Sequence, residues 1–384
     1  MVAFSSMSES KFLKKEDLDQ ERGNLVHIKS FQKQLVEEND DGTKQYKFTM
    51  SVNEFDKPMV LNATNRAILE RIYGGASRQT YRFVLSYRLD GQTVSRPLIL
   101  RRDPPGSLIE TQRAVEFEAY RAFYGTAVPV PEPLWLEQES HWLDYPFFIM
   151  QELQGFESNP QLIIAPPYAE HAQRFAEQKW TILGEISKAD PVALGLTTVM
   201  DPVSPDQCWQ RELSFWEKEL DADELCPQPI IRAAIRWLRR NPPPPAQKIS
   251  VVHADFRTGN FLYDTEGNIR AILDWEMAHL GDSIEDLAWG LNPVWRWAHD
   301  HRAGGLVPQD EAIRIWERAS GLRATPEALH WWQVFSSVKG QAIWVSSAKE
   351  FTDGKNQDLI LTLASWMMLN SQDRAVLAEL GYLS

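Results

Sequence analysis

The side chains best suited to chemistry are concentrated in one stretch, Val251-Val252-His253-Ala254-Asp255-Phe256-Arg257-Thr258-Gly259-Asn260-Phe261-Leu262, followed by Ile272-Leu273-Asp274-Trp275-Glu276. The order reads as strand, polar loop, strand, turn, strand, carboxylate. A hairpin of that length puts Asn260 and Asp274 near the same end of a two-stranded ribbon, with Asp255 on the adjoining loop. Phosphoryl transfer from a nucleotide needs such a set. One carboxylate orients or deprotonates an acceptor hydroxyl, while a carboxylate and an amide oxygen hold Mg²⁺ against the phosphates. Hard oxygen ligands suit Mg²⁺, which keeps several waters and needs few protein ligands. His253, at a strand end, is better placed to hydrogen-bond loop backbone than to act as an acid or base.

The segment resembles the catalytic region of aminoglycoside phosphotransferase-like kinases, the family of aminoglycoside phosphotransferases and choline kinases, which are relatives of the protein kinases. Gly281-Asp282-Ser283-Ile284-Glu285-Asp286-Leu287-Ala288 matches that family's motif downstream of the second metal ligand. The resemblance implies that Asp255 is the catalytic base, that Asn260 and Asp274 are Mg²⁺ ligands, and that His253 and Asp286 are structural supports. It also implies ATP as phosphoryl donor and a hydroxylated small molecule as acceptor. Asp274-Trp275-Glu276 stands where protein kinases have Asp-Phe-Gly, so a flipping activation loop is not expected.

The same resemblance assigns parts upstream. Gly74-Gly75-Ala76-Ser77-Arg78-Gln79-Thr80 fits a small-residue loop over phosphates, with Gly75 and Ser77 as the candidate contacts. Arg101, at the end of Leu98-Ile99-Leu100-Arg101, takes the place of the phosphate-binding lysine of protein kinases and offers a planar fork instead of a point charge. Arg102 points to the opposite face of the strand. Glu116 is the helix carboxylate expected to orient Arg101, with Glu118 as its rival. Phe148–Leu153 is the expected hinge, and backbone groups of Gln151, Glu152 and Leu153 would meet the adenine edge. The likeness covers about residues 66–350. It is closest to a branch with Pro-Pro-Gly after the third strand, a branch resembling kinase portions associated with acyl-CoA dehydrogenases. Aminoglycoside-like and hydroxyacyl-CoA acceptors are both open on this reading. Ser187-Lys188 replaces a family-typical Leu-His, a departure remote from the proposed metal and base.

Composition sets the frame for these elements. The 384 residues are 43% hydrophobic and 24% charged, ordinary for a globular chain with a real core. Apolar runs are short, far from the ~20 residues a membrane helix requires. The polar N-terminus has no hydrophobic signal region, and two cysteines cannot build a disulfide framework, so a cytoplasmic, membrane-free protein is expected. The net charge of −13 disfavours a nucleic-acid partner. Within that acidic total, Arg66 to Arg102 contains eight arginines against Glu70 and Asp90 alone, a local place for an anion or a solvated strand face. Monomer and homodimer are both compatible with the sequence.

The expected fold class is α+β and bilobal, protein-kinase-like, with a small antiparallel sheet plus one helix and a larger, mainly helical lobe. The division expected is 1–65 as an N-terminal extension, 66–152 as the nucleotide-binding lobe and 153–384 as the catalytic and acceptor-binding lobe. Leu18, Leu25, Ile28, Phe31 and Leu35 recur at helical spacing, so the extension is expected to hold an amphipathic helix ended at Asp40-Asp41-Gly42. Strands are expected over 68–73, 80–87, 97–102, 134–136 and 147–152, with a helix capped by Ser107 and running to about Tyr124. Further helices are expected over 168–188, 207–221, 229–240, 282–291, 309–319, 326–349 and 357–379.

Two other functions compete. A metal-dependent hydrolase would use His253, Asp255 and His279 to activate water, which leaves the small-residue turn, Arg101 and Asn260 without a role. A catalytically silent nucleotide-binding module would lack a base or metal ligand. Trp295, Trp297, Trp331, Trp332 and Trp344 are either core or lining for an acceptor cavity. Glu276 is either a helper at the metal or a loop ion pair. His279, His299, His301 and His330 invite a metal reading, but each reads as an ordinary satisfied histidine.

Overall fold

The computed structural model describes residues 28–38, 44–52, 59–61, 70–72, 79–89, 92–102, 113–139, 143, 145–297, 300–354 and 359–383. Contacts divide the chain into two compact units, residues 1–105 with 133–154 and residues 106–132 with 155–384. Gly75, Ser77, Ser107 and His299 lie outside the described residues.

In the first unit, β1 (Ile28–Glu38), β2 (Lys44–Val52) and β3 (Met59–Leu61) form an antiparallel sheet in that order. This corrects the helix expected across Ile28, Phe31 and Leu35. Tyr46, Phe48, Met50 and Val52 alternate with a period of two, and an Asp-Gly step separates them from the earlier segment. That is the pattern of a hairpin, and a pairing partner outweighs a short, weakly periodic helix signal.

The second sheet contains β4 (Glu70–Ile72), β5 (Gln79–Leu89), β6 (Gln92–Arg102), β7 (Pro133–Glu137) and β8 (Phe147–Gln151), in the order β4-β5-β6-β8-β7 and antiparallel throughout. Its strands match those expected within a few residues. Phe83, Leu85, Leu98, Leu100, Phe147 and Ile149 form its buried cluster. Along β5, β6 and β8 they recur at every second position, so one face is apolar.

In the second unit, α1 (Arg113–Phe123) buries Tyr120 and Phe123. The boundaries expected from sequence put this helix with the small sheet, whereas its contacts group it with the larger unit. The reason is specific. The Phe123 ring stacks on Trp275 at 4.8 Å, the Asp274 N–H donates to Tyr120 Oη at 2.9 Å, and the Ile272 N–H donates to the Pro129 carbonyl at 2.8 Å. The helix and the stiff segment after it thus lie along the chain that carries Asp274.

The remaining helices are α2 (Ala172–Lys188), α3 (Cys208–Asp223), α4 (Pro229–Arg240), α5 (Ile284–Leu291), α6 (Gln309–Ser320), α7 (Pro326–Thr352) and α8 (Leu359–Glu379). All seven were expected, with ends that shift by a few residues. The centre of the unit is α7, which buries Trp331, Trp332, Phe335 and Val338 and whose Thr325 hydroxyl caps the first turn by accepting from the Ala328 N–H. Short strands lie between α4 and α5: β9 (Ser250–Val252), β10 (Phe261–Tyr263), β11 (Ile269–Ile272) and β12 (His279–Gly281). β10 and β11 form the expected hairpin, with Phe261 opposite Ile272. β12 was not expected; it pairs antiparallel with β9, His279 opposite Val252. β13 (Arg302–Ala303) and β14 (Val307–Pro308) complete the set. No helix among the described residues is long and apolar enough to cross a membrane.

The aromatic stack that ties α1 to the carboxylate strand gives a stability prediction. Phe123→Ala removes a fully packed ring, and urea denaturation is expected to show a loss of about 3–5 kcal/mol. A loss below about 1 kcal/mol, the size of an ordinary surface change, would show that the stack is dispensable.

Candidate functional site

The catalytic-type segment is built from the inside outward. β9 is fully buried and ends at His253. Immediately after it, one carboxylate on α5 takes two consecutive backbone donors. The N–H of His253 donates to Asp286 Oδ2 at 2.6 Å, and that of Ala254 to Asp286 Oδ1 at 2.8 Å. Ala254 sits at φ 68°, a left-handed conformation costly for a residue with a Cβ. Its carbonyl also accepts from Lys339 Nζ at 2.6 Å. Both peptide groups flanking the turn are therefore held, and the turn sets the direction of Asp255.

His253 is committed on both ring nitrogens. Nε2 donates to the Leu273 carbonyl at 2.9 Å, while Nδ1 accepts from the Asp255 N–H at 3.2 Å. Burial pushes its pKa down to about 4, against opposing pulls from Asp255, the Leu273 carbonyl and Asp274. The ring is a neutral spacer that fixes the distance between the loop of Asp255 and the strand of Asp274. With neither nitrogen free, the hydrolase triad of His253, Asp255 and His279 does not assemble.

Asp255 is embraced by three donors. Trp289 Nε1 donates to Oδ1 at 2.8 Å, Asn260 Nδ2 to Oδ2 at 2.5 Å, and Arg257 Nε spans both oxygens at 3.1 and 3.2 Å. A carboxylate has about four acceptor positions; these donors address two on each oxygen, and the Arg257 contacts are the longest of the four. Asn260 Nδ2 also donates to the Asp255 carbonyl at 3.0 Å. With its nitrogen anchored twice, the amide turns its oxygen away from Asp255. The Leu273 N–H donates to the Asn260 carbonyl at 2.8 Å, so Asn260 and Asp274 stand at the same end of the β10–β11 ribbon. Asp274 itself sits at φ 67° and is locked there through Tyr120 Oη and the buried Trp275. An amide and a carboxylate carried to one ribbon end are hard-oxygen groups of the kind that suit Mg²⁺.

Sequence reasoning missed three residues here. Trp289 and Arg257 bind the carboxylate directly, and Lys339 secures the loop from α7. The arginine lies inside the motif and was readable. The other two come from helices far along the chain, and only the fold brings them in. The aromatic candidates divide. Trp331 and Trp332 are core, with their N–H groups given to the Leu238 carbonyl and to Asp282. Trp295 is packed against Trp289, Trp297 and Trp344, and carries the Arg257 guanidinium over its ring at 4.8 Å. This cluster flanks Asp255.

The first unit holds the other expected contacts. Arg101 is buried on β6, opposite Thr80 and Phe148. Its neighbour Arg102 bonds Gln79 and the Leu143 carbonyl and lies over the rings of Tyr81 and Tyr145. Gln151 ends β8. The Glu152 N–H is taken by the Pro97 carbonyl at 3.0 Å, and its carboxylate pairs with Arg82 at 3.0 Å. Leu153 follows directly after it. On α1, in the second unit, Glu116 is buried and ion-paired with Arg113, while Glu118 pairs with the exposed Arg121.

Residues 68–345 match the sequence model of a phosphotransferase enzyme family. Among curated proteins, the chain is 29% identical over 256 residues to acyl-CoA dehydrogenase family member 11 of Gallus gallus, covering 63% of this chain and 32% of that protein. The rat protein of the same name is 27% identical over 71% of this chain and 36% of its own length. The chain thus spans about a third of these relatives. Among solved structures, a Ralstonia eutropha protein assigned as an aminoglycoside phosphotransferase superposes with a TM-score of 0.62 at 20% identity, over 81% of this chain and 91% of that one. Aminoglycoside phosphotransferase APH(4)-Ia, in a ternary complex with AMP-PNP and hygromycin B, gives 0.53 at 17% identity, over 82% and 94%. Plasmodium vivax ethanolamine kinase gives 0.51 at 13% identity, over 79% and 80%. At these identities the structures establish the fold, which is the α+β kinase-like one.

The spacer role of His253 has a pH signature. An unfolded chain protonates this imidazole below about 6.5, whereas the native one resists until about 4. Its contribution is complete above pH 6.5 and is lost as pH falls through that window. The stability gap between wild type and His253→Gln, measured by denaturation at stepped pH, is expected to narrow from pH 7 to pH 4. A gap that stays constant across the window would contradict a neutral buried ring.

Proposed function

Because the chain belongs to the phosphotransferase enzyme family, we propose that it is an ATP-dependent O-kinase that moves the γ-phosphoryl group to the hydroxyl of a small molecule. The observation that carries this reading is the placement of Asp255, a carboxylate steadied on the loop after β9 by Trp289, Arg257 and Asn260, beside the ribbon end that bears Asn260 and Asp274. An alcohol docked there would displace the long contact shared with Arg257, donate its hydrogen to Asp255 and aim its oxygen at the phosphorus. As the new O–P bond forms, the bond from the γ-phosphorus to the bridging oxygen breaks and ADP leaves. In this class most of the rate comes from positioning and charge stabilisation.

The residues present fit a hard divalent cation, since Asn260 offers an amide oxygen and Asp274 a carboxylate at one ribbon end. When bound, Mg²⁺ neutralises phosphate charge. Arg101 is the protein cation for the phosphates, with Glu116 as its carboxylate partner in the same reading. The Leu153 N–H is a donor for the purine edge, and Gly75 and Ser77 belong to the proposed phosphate loop. His253 and Asp286 support the loop and touch no substrate.

Arg257 over Trp295 gives the acceptor side a flat, cationic wall next to Asp255. The curated relatives carry an acyl-CoA name and one solved neighbour holds hygromycin B, so hydroxyacyl-CoA thioesters and aminoglycosides are the acceptors to compare first. An ATP-depletion screen over both classes, with amino-alcohols and sugars added, is expected to yield turnover for one class. Asp255→Asn is expected to lose transfer by at least about a hundredfold, the low end for a general base, while retaining nucleotide binding. Asp274→Ala is expected to weaken Mg²⁺-dependent nucleotide binding. Wild-type turnover in Asp255→Asn would refute the assignment, and nucleotide binding without turnover on any acceptor would favour a silent binding module.

A further inference from the structure

Behind the Asp255 loop, on the side of α3, lies a second charged centre that the phosphotransfer reading leaves without a role. A partly open cavity of about 270 Å³ is lined by Arg211, Glu212, Trp216, Glu276, His279 and Lys339, among others. Glu212 of α3 and His279 of β12 line it, and together with the buried Glu285 of α5 they present ligand-type atoms within 4.8 Å of one another. His279 Nε2 is 3.5 Å from Glu212 Oε1 and 3.2 Å from Glu285 Oε2. Zinc–nitrogen and zinc–oxygen bonds of 2.0–2.2 Å in a tetrahedron separate ligand atoms by about 3.3–3.6 Å. One of these two separations falls in that range and the other just below it.

His279 and Glu285 are also held from behind. His279 Nδ1 faces the Met277 carbonyl at 3.0 Å, which fixes the tautomer and turns Nε2 towards the carboxylates. Lys339 Nζ donates to Glu285 Oε1 at 3.0 Å and leaves Oε2 to the ring, whereas Arg211 Nε donates at 3.0 Å to Glu212 Oε1, the oxygen that faces His279. A histidine whose second nitrogen is bonded to a carbonyl, with hydrogen-bonded carboxylates beside it, is the outer-shell pattern of metal ligands. A Cβ at Gly281 would lie 3.2 Å from Nε2, so the glycine keeps that edge of the ring clear.

Glu212, Glu276 and Glu285 stand at this centre against Arg211, Lys339 and one imidazole, a setting of hard oxygen donors around a single ring nitrogen.

We propose that Glu212, His279 and Glu285 form a binding site for a first-row divalent cation of the zinc type, separate from Asn260 and Asp274, with its open coordination position towards the cavity. Because Lys339 joins Glu285 to the Ala254 carbonyl, the ion would brace the Asp255 loop from behind.

The test is equilibrium dialysis of the full chain against Zn²⁺ with excess Mg²⁺ and no nucleotide, bound metal being read by mass spectrometry. Cobalt substitution, read by visible absorption, reports coordination geometry. Wild type and Asp274→Asn are expected to retain one zinc per chain and to give tetrahedral cobalt bands. Glu212→Gln and His279→Gln are expected to bind zinc more than about tenfold more weakly, beyond the smallest loss typical of a supporting residue. If a variant fails to fold, proton NMR of cobalt-loaded wild type replaces it, and a paramagnetically shifted His279 imidazole N–H is expected. Absence of zinc from wild type, its retention in both variants, or an unshifted His279 resonance would overturn the proposal.

Discussion

The arrangement around Asp255 depends on one buried carboxylate that accepts two consecutive backbone N–H groups. Asp286 reaches from the first turn of α5 to the end of β9 and holds His253 and Ala254 together. Two charge-assisted hydrogen bonds offset the cost of a left-handed alanine and of a carboxylate removed from water. An amide in place of Asp286 would offer one acceptor oxygen, so one of the two N–H groups would lose its partner. From this clamp the rest follows outward. The turn aims Asp255, His253 spans to Leu273, and the ribbon carries Asn260 and Asp274 to a common end.

A second constraint runs through the aromatic residues. Trp275 follows Asp274, is fully buried, and meets both Phe123 and the His253 ring. Residues with side chains of this size have few ways to pack, so the strained backbone at Asp274 is fixed by packing as well as by the bond to Tyr120. The phenolic oxygen and the stacked phenyl ring both come from α1. In this way the helix upstream of the Val-Pro-Val-Pro segment supports a carboxylate more than a hundred residues later.

Much of this was legible in the sequence. Asp255, Asn260 and Asp274 share a short contiguous stretch whose hairpin could be counted out, and the ribbon formed with the expected pairing. Helices α2 to α8 carry apolar periodicity or proline and glycine boundaries strong enough to place them. The misses have physical causes. The segment from Ile28 is held in a sheet by its pairing with Lys44–Val52, a cross-strand interaction that its own weak helical period does not reveal. β12 is three residues long, too short for periodicity to show. Trp289, Lys339 and Tyr120 matter only through where their helices lie, and the pairing of Glu212, His279 and Glu285 draws on three elements. Such meetings arise from packing at long sequence separation, which no local pattern encodes.

The central claim is that Asn260 and Asp274 grip a divalent ion beneath a nucleotide while Asp255 faces the acceptor. Crystals of the full chain grown with Mn²⁺ and a non-hydrolysable ATP analogue, with diffraction collected at the manganese edge, address it directly. The account predicts an anomalous peak within bonding distance of both the Asn260 amide oxygen and the Asp274 carboxylate, next to the nucleotide phosphates. A nucleotide-associated peak that neither side chain touches would contradict it.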